Sequence, residues 1–267
     1  MMIDQITEVA FNHKIAPDTF LMGLRSRDVK AWAKPGQFVM VRVREGVDPL
    51  LRRPFSVCGV REDGLLLILY RVVGMGTSIM AETREGERLW VLGPLGQGFE
   101  LPKGDQTALL VAGGIGMAPL FFLAQALKTR NNPFQFMVGF RSSTEIIPIG
   151  QVVGHPIELS IATDDGTEGH AGPVTDLLTE YLDQHERDIG SVSVYTCGPL
   201  PMLKKVAALV ADRNIPCQVS LEAAMACGLG ACQGCAVKSS HAEKRDYYHV
   251  CKDGPVFPVQ NIEWKDI

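Results

Sequence analysis

Hydrophobic and polar positions along this chain change rhythm twice. Over residues 1–102, short apolar runs are broken by Gly, Pro and Asp, as in GQFVMVRV (36–43), GLLLILYRVV (64–73) and ERLWVLGPLG (87–96). Runs of that length between turn residues read as strands, and several in series predict an antiparallel barrel or sandwich. One helix is expected to interrupt them near 77–83. From Thr107 the pattern lengthens. TALLVAGGIGMAPLFFLAQALK is a continuous apolar strand, a glycine-rich turn and an amphipathic helix. FQFMVGF and IELSIATDD read as buried strands, VTDLLTEYLDQ as a helix, VSVYTCGP as a strand and LPMLKKVAALVADRN as a helix. Alternation of that kind predicts an open parallel α/β sheet over 103–217. Residues 218–267 form a third, short region rich in cysteine. The fold class expected is β plus α/β: an N-terminal antiparallel barrel, a parallel nucleotide-type sheet and a small C-terminal domain.

Bulk properties narrow the function classes. In 267 residues, 46% are hydrophobic and 21% charged, ordinary for a globular protein. The formal net charge of −4 carries no nucleic-acid or anionic-membrane footprint. No apolar run reaches the ~18 residues that would span a bilayer. The opening MMIDQITEVAFN lacks the apolar core of an export signal, so a cytoplasmic location is expected, where disulfides are rare. The seven cysteines then need another use.

Three of them fall in CGLGACQGCAVK. Cys227, Cys232 and Cys235 have the spacing C-x4-C-x2-C, and fifteen residues separate Cys235 from Cys251. That is the plant-type [2Fe–2S] pattern. Gly228, Gly230 and Gly234 would allow left-handed turns and leave backbone amides free to point at sulfur. A four-cysteine zinc site is the alternative, although such sites usually pair two C-x2-C knuckles. Cys217 is a second candidate for the fourth ligand, set in the strand-like NIPCQVSL; Cys58 reads as a buried packing residue.

Four further stretches suggest nucleotide cofactors. LRRPFSV (51–57) sets two arginines and a serine at a strand start. YRVVGMGTS (70–78) ends a strand in Gly74 and Gly76 and enters a helix at Thr77, a ready phosphate site to which Arg53 would add charge. VAGGIGMAPL (111–120) has the strand–glycine turn–helix form of a dinucleotide-binding turn. YTCGPLPML (195–203) puts Cys197 at the carboxyl edge of the sheet, where open α/β proteins bind ligands. Arg141 in GFRSSTEI is a candidate for meeting a 2′-phosphate, and Asp164 and Asp165 read as turn residues.

In this order, these stretches resemble the ferredoxin–NADP reductase superfamily. With the cysteine spacing and the tail VCKDGPVF, the chain is similar over almost its whole length to the electron-transfer subunits of heteromeric, NAD-linked dihydroorotate dehydrogenases. The resemblance implies a site at each motif. FAD would be held by Arg53, Pro54, Phe55 and Ser56, with Ser56 near its reactive edge. Leu69, Tyr70 and Arg71 would line its adenine-diphosphate side, and Gly76 and Thr77 would receive its pyrophosphate. Gly113, Gly114 and Gly116 would cradle NAD, while Cys197, Gly198 and Pro199 would abut the nicotinamide. Cys227, Cys232, Cys235 and Cys251 would bind the cluster. Phe55 stands where the family commonly has a smaller aliphatic residue. The resemblance also implies a partner, an FMN-containing catalytic subunit that oxidises dihydroorotate in pyrimidine biosynthesis, in a two-plus-two heterotetramer, with electrons passing through [2Fe–2S] and FAD to NAD+. Two other readings are a reductase subunit serving a ferredoxin:NADP oxidoreductase, sulfite reductase or hydrogenase complex, and a zinc-binding regulator without catalysis.

Overall fold

The computed structural model describes residues 2–26, 31–148, 150, 157–241, 243, 245–265 and 267. The N-terminal region is a closed barrel, not a sandwich. Its strands are β1 (Ile3–Ala16), β2 (Thr19–Arg25), β3 (Phe38–Arg42), β4 (Arg53–Val60), β5 (Leu65–Arg71) and β6 (Arg88–Leu95), hydrogen-bonded in the order β1-β2-β5-β4-β3-β6 and closing β6 on β1. Helix α1 (Met75–Glu82) links β5 to β6, close to the expected 77–83.

β1 had no counterpart among the expected strands, and its sequence explains why. Its first half alternates partly covered and exposed residues, and only Thr7, Val9 and Ala10 are buried. It pairs with β6 over Ile3–Glu8 and with β2 from Glu8 onward, and bulges between Val9 and Phe11 and between Lys14 and Ala16 bend it around the barrel.

β5 is buried along almost its whole length, and both faces have work. Leu66, Ile68 and Tyr70 fill the barrel interior with Val9, Met22, Val39 and Val57. Leu65, Leu67 and Leu69 point outward, into a second core with Leu120, Phe121 and Ala124 of helix α2 (Met117–Thr129). A strand covered on both faces loses the apolar/polar alternation of a half-exposed one. Cys58 lies in the same inter-domain core, completely buried. β3 repeats the arrangement on another side of the barrel: Val39 and Val41 face inward, whereas Phe38 and Met40 face the C-terminal region.

The second region supplies β7 (Thr107–Gly113), β8 (Phe134–Phe140), β9 (Ser160–Thr163), β10 (His170–Ala171), β11 (Val192–Cys197) and β12 (Cys217–Ser220), with helices α2, α3 (Val174–Gln184) and α4 (Leu200–Asp212). The sheet order is β10-β9-β8-β7-β11-β12, parallel throughout. The chain winds outward from β7 through β10, then returns to β7's other side as β11. This reversal opens a crevice beyond the carboxyl ends of β7 and β11, where Gly113 and Cys197 stand.

The third region forms a hairpin, β13 (Ala236–Lys238) with β14 (Tyr247–His249), then β15 (Val256–Pro258), which adds antiparallel to β12. The expected boundary between 217 and 218 therefore falls inside β12, and the tail completes the edge of the central sheet. Among the described residues, no helix is long and apolar enough to cross a membrane.

Leu67 is fully buried between barrel and α2, whereas Val47 is 80% exposed. Leu67→Ala is expected to cost about 3 kcal/mol through lost burial and the cavity left behind. Val47→Ala should stay within about 0.5 kcal/mol of the parent. Thermal unfolding of the intact chain, followed by circular dichroism, checks both.

Candidate functional site

The C-terminal loop wraps its cysteines with backbone. Gly228 and Gly230 take left-handed conformations, φ 73° and 77°. A Cβ on Gly228 would stand 2.6 Å from Met40 Cγ on the barrel, and one on Gly230 would stand 2.8 Å from Lys252 Cδ. Gly234 departs from expectation: the left-handed residue beside it is Gln233, φ 61°, and a Cβ on Gly234 would meet nothing nearer than Cys232 Sγ at 3.8 Å. Amides are aimed at sulfur throughout. Those of Leu229 and Cys232 each donate to Cys227 Sγ at 3.4 Å, that of Gly230 to Cys251 Sγ at 3.1 Å, and that of Cys251 to Cys235 Sγ at 3.4 Å. The amide of Cys232, followed by that of Leu229, lowers the Cys227 thiol to about 6. Burial and the adjacent Cys235 push Cys251 up to about 12, an effect that a metal cation beside it would reverse.

Cys235 and Cys251 are buried with their sulfurs 3.2 Å apart, and neither is in a disulfide. Among the described residues, no three His, Cys, Asp or Glu side chains converge on a single-ion site. The other fourth-ligand candidate, Cys217, lies in a separate core with Val194 and Val210, where burial raises its thiol. Four cysteines, three in the loop before β13 and Cys251 in the turn after β14, with amides aimed at their sulfurs, fit a sulfide-bridged cluster.

The barrel rim carries the second group. Arg53 opens β4, and Gly76 lies in the first turn of α1. A Cβ on Gly76 would stand 2.3 Å from Arg53 Nε, so only glycine lets the guanidinium lie over this helix end. The Arg53 guanidinium also donates to the Leu51 carbonyl. Thr77 uses its hydroxyl on the turn itself, accepting from the Val73 and Gly74 amides at 2.9 and 3.1 Å and donating to Gly74 O at 2.9 Å. What it offers a ligand is its amide. Pro54, Phe55 and Ser56 continue β4, half-buried and paired with β3.

Leu69 and Tyr70 do not present side chains at this rim. Both are buried, and the Tyr70 hydroxyl donates to Asn12 Oδ1 at 2.9 Å inside the barrel. Its ring meets Phe55 edge-on at 5.8 Å, and burial raises the phenol to about 12. Arg71 leaves the group altogether. Its side chain crosses to the sheet, 3.5 Å from Glu145 Oε2.

There it lines a cleft of about 510 Å³ at the crevice between β7 and β11. Gly114 has φ 52° and open space where a Cβ would be, so its backbone is accessible from the cleft. A Cβ on Gly116 would stand 2.5 Å from Cys197 O, and one on Gly113 2.5 Å from Pro199 Cδ. The two motifs 113–116 and 197–199 are thus packed together as one floor, with Gly198 and Pro199 also lining the cleft. Cys197 is 2% exposed; burial, with a smaller contribution from Glu222, raises its thiol, so it is neutral near pH 7.

The cleft also holds residues that no motif announced. Glu222 follows β12 and lines the cleft, open to water yet walled by protein, which raises its carboxyl. Thr175, in the first turn of α3, has a buried hydroxyl without a partner. Among the described residues, three buried side-chain N or O atoms lack a partner: Thr7 Oγ1, Arg71 Nε and Thr175 Oγ1. Two of those residues line this cleft. Buried polar groups are normally paired, so a polar ligand fits here.

The three groups share supports. Met40, beside Gly228, is paired across β3 and β4 with Pro54. The strand whose outer face carries the cysteine loop is therefore the hydrogen-bonded neighbour of the Arg53–Ser56 segment, at an inter-strand spacing of about 4.8 Å.

Residues 222–263 match the family model described as the iron–sulfur cluster binding domain of dihydroorotate dehydrogenase B. The dihydroorotate dehydrogenase B (NAD(+)) electron transfer subunit of Desulforamulus reducens is 41% identical over 254 residues, covering 95% of both chains. That of Fusobacterium nucleatum is 39% identical, covering 98% of this chain and 99% of its own. Among solved structures, the NADH-dependent reduced ferredoxin-NADP oxidoreductase is similar with a TM-score of 0.81 and 29% identity over 98% of this chain and 91% of its own. A Neisseria gonorrhoeae ferredoxin NADP+ reductase shares the fold at a TM-score of 0.66 and 16% identity, covering 79% of this chain and 91% of its own. With two-fifths identity across nearly all of its length, the chain belongs to the family of dihydroorotate dehydrogenase B (NAD+) electron-transfer subunits.

Proposed function

We propose that this chain holds a [2Fe–2S] cluster in its C-terminal loop and FAD on the barrel rim, and binds NAD in the cleft. In this reading it takes the electrons that an FMN-containing catalytic subunit removes from dihydroorotate and delivers them to NAD+, within a cytoplasmic two-plus-two heterotetramer. The observation that carries the reading is the seating of the cysteine loop on Met40, one strand from Arg53–Ser56. When bound, the flavin supplies the exchange between one-electron iron–sulfur chemistry and the two-electron hydride of nicotinamide.

The chain's own residues have defined parts. Cys227, Cys232, Cys235 and Cys251 hold the cluster, and the inward amides stabilise negative charge on sulfur. Arg53 and the amides of Gly76 and Thr77 bind pyrophosphate at the positive end of α1. Pro54, Phe55 and Ser56 would border the flavin, with Ser56 nearest its reactive edge, while Tyr70 shapes the wall from within the barrel and Leu69 from the core outside it. Gly113, Gly114 and Gly116 bring bare backbone to the dinucleotide. Cys197, neutral because buried, backs the floor from which Gly198 and Pro199 face the nicotinamide. Arg71, Thr175 and Glu222 complete the cleft.

The relatives favour dihydroorotate oxidation over the ferredoxin-linked alternative, at 41% identity against 29%. The test is to express the chain with its host's proteins and identify what co-purifies. An FMN protein that reduces NAD+ with dihydroorotate only in this chain's presence is the expected outcome. Recovery of an iron–sulfur flavoprotein in its place would overturn it.

Two variants probe the sites separately. Cys251→Ser should lose iron, sulfide and visible cluster absorption while keeping FAD, whereas Cys217→Ala should keep all of them; iron and sulfide analysis of anaerobically purified protein decides. Gly76→Ala drives a methyl into Arg53 and should weaken FAD binding about tenfold or more, because a displacement near 1 Å is costly at a site of fixed geometry. Flavin retained after gel filtration measures the loss.

A further inference from the structure

The cleft contains the elements of a choice between two dinucleotides, and the sequence alone leaves that choice open. In dinucleotide-binding sheets, the residue at the carboxyl end of the strand next to the glycine turn reads the adenosine ribose: an acid accepts from its 2′-hydroxyl, whereas an arginine meets a 2′-phosphate. Here that strand is β8, adjacent to β7. Just beyond it stand one residue of each kind, Arg141 and Glu145, both lining the cleft.

The structure joins them. Glu145 Oε1 is 3.3 Å from Arg141 Nε, and Glu145 Oε2 is 3.5 Å from Arg71 Nη2, so one carboxylate is shared by two guanidinium groups. The Glu145 side chain is 26% exposed, against 73% for Arg141. The segment between them is fixed. The Glu145 amide donates to Ser142 O at 3.1 Å, and the Ser143 amide donates to Thr167 Oγ1 at 2.8 Å. Thr167 is held in turn by Asp165, whose Oδ1 accepts from the Thr167 amide and hydroxyl, and the Asp165 amide donates to Arg141 O at 3.2 Å. Asp165 is therefore spent on the turn. Asp164, Glu145 and Glu222 are the carboxylates lining the cleft, and Glu222 sits by Cys197 at the nicotinamide end.

We propose that Glu145 is the specificity-determining residue that makes this cleft reject a 2′-phosphorylated dinucleotide. This rests on the reading of the cleft as the NAD site. A 2′-phosphate approaching Arg141 meets a carboxylate that already engages both arginines and offsets one of their two charges. Binding would require breaking the shared pair and placing like charges side by side. An unphosphorylated ribose needs neither, and its hydroxyls can donate to the same oxygens. Removing the negative charge while keeping the shape would release two guanidinium groups toward the cleft and reverse the preference.

The experiment compares the parent and Glu145→Gln as FAD-loaded proteins, using calorimetric titration with NAD+ and NADP+ and kcat/KM for NADH and NADPH with an artificial electron acceptor. The Gln variant should raise the NADP+/NAD+ affinity ratio by about tenfold or more, the scale on which a pocket's polar contacts discriminate between ligands. Adding Arg141→Ala to it should abolish the gain, and Glu145→Asp should keep the parent preference. The assignment is overturned if Glu145→Gln leaves the ratio within about twofold, or if Asp164→Asn alone produces the shift. Should Glu145→Gln not fold, Glu145→Ala takes its place: a gain in the NADP+/NAD+ ratio of about tenfold supports the assignment, and a ratio within about twofold of the parent overturns it. If the parent binds neither nucleotide, the cleft is not the NAD site and the assignment falls with that reading.

Discussion

Along β3 and β5 the outer wall of the barrel is not a solvent surface, and the rest of the molecule depends on that. Side chains of β3 and β5 alternate between two dry environments. Inward residues such as Val39, Ile68 and Tyr70 fill the barrel, while outward residues meet the other two regions. Leu67 and Leu69 fasten the barrel to α2 below the cleft. Phe38 and Met40 fasten it to the cysteine-bearing tail. Apolar burial on both faces supplies a large, non-directional driving force that holds all three regions against a common support. Electron relay needs redox centres held at fixed short separations, which flexibly tethered domains would not maintain.

Glycine makes the remaining approaches possible, and it does so by two different means. At Gly76 and Gly116 the missing Cβ is the point, since a neighbouring guanidinium or carbonyl occupies its space. At Gly114 nothing crowds the position, and the left-handed backbone is what a side chain would oppose. Gly228 meets both conditions at once, and there the loop touches the barrel. A glycine count would not separate these cases. Gly234 shows as much, because it has the sequence context of its neighbours and neither constraint.

Elements with strong local signals were legible from the residues. The β7–glycine–α2 unit, α3, α4 and the apolar strands β3, β5 and β6 all stand near their expected positions, since each combines periodicity with turn residues. β1 was not, because a polar edge-like pattern hides a strand whose register is imposed by β2 and β6. The candidate site divides along the same line. Its glycines and cysteines sit in compact motifs, and the structure packs Gly113 and Gly116 against 197–199 and sets Cys235 beside Cys251. Arg71 was grouped with its sequence neighbours Leu69 and Tyr70, yet its longer side chain reaches another domain. Glu222 and Thr175 carry no local pattern. They matter because β12 lies beside β11 and because α3 starts at the cleft, and both facts follow from strand order alone.

Charge follows a similar logic of fixed, local partners. The chain is only mildly acidic overall, so its net field selects no ligand. Selectivity must come from short-range groups that cannot rearrange. In the tail these are amides held by the loop and directed at sulfur, which favour negative charge there without adding a side-chain cation. At the barrel rim it is one guanidinium laid over a helix end. In the cleft it is a carboxylate shared by two arginines from different domains. Because Arg71 belongs to the barrel and Glu145 to the sheet, the last of them also ties the proposed nucleotide recognition to the packing that joins the two.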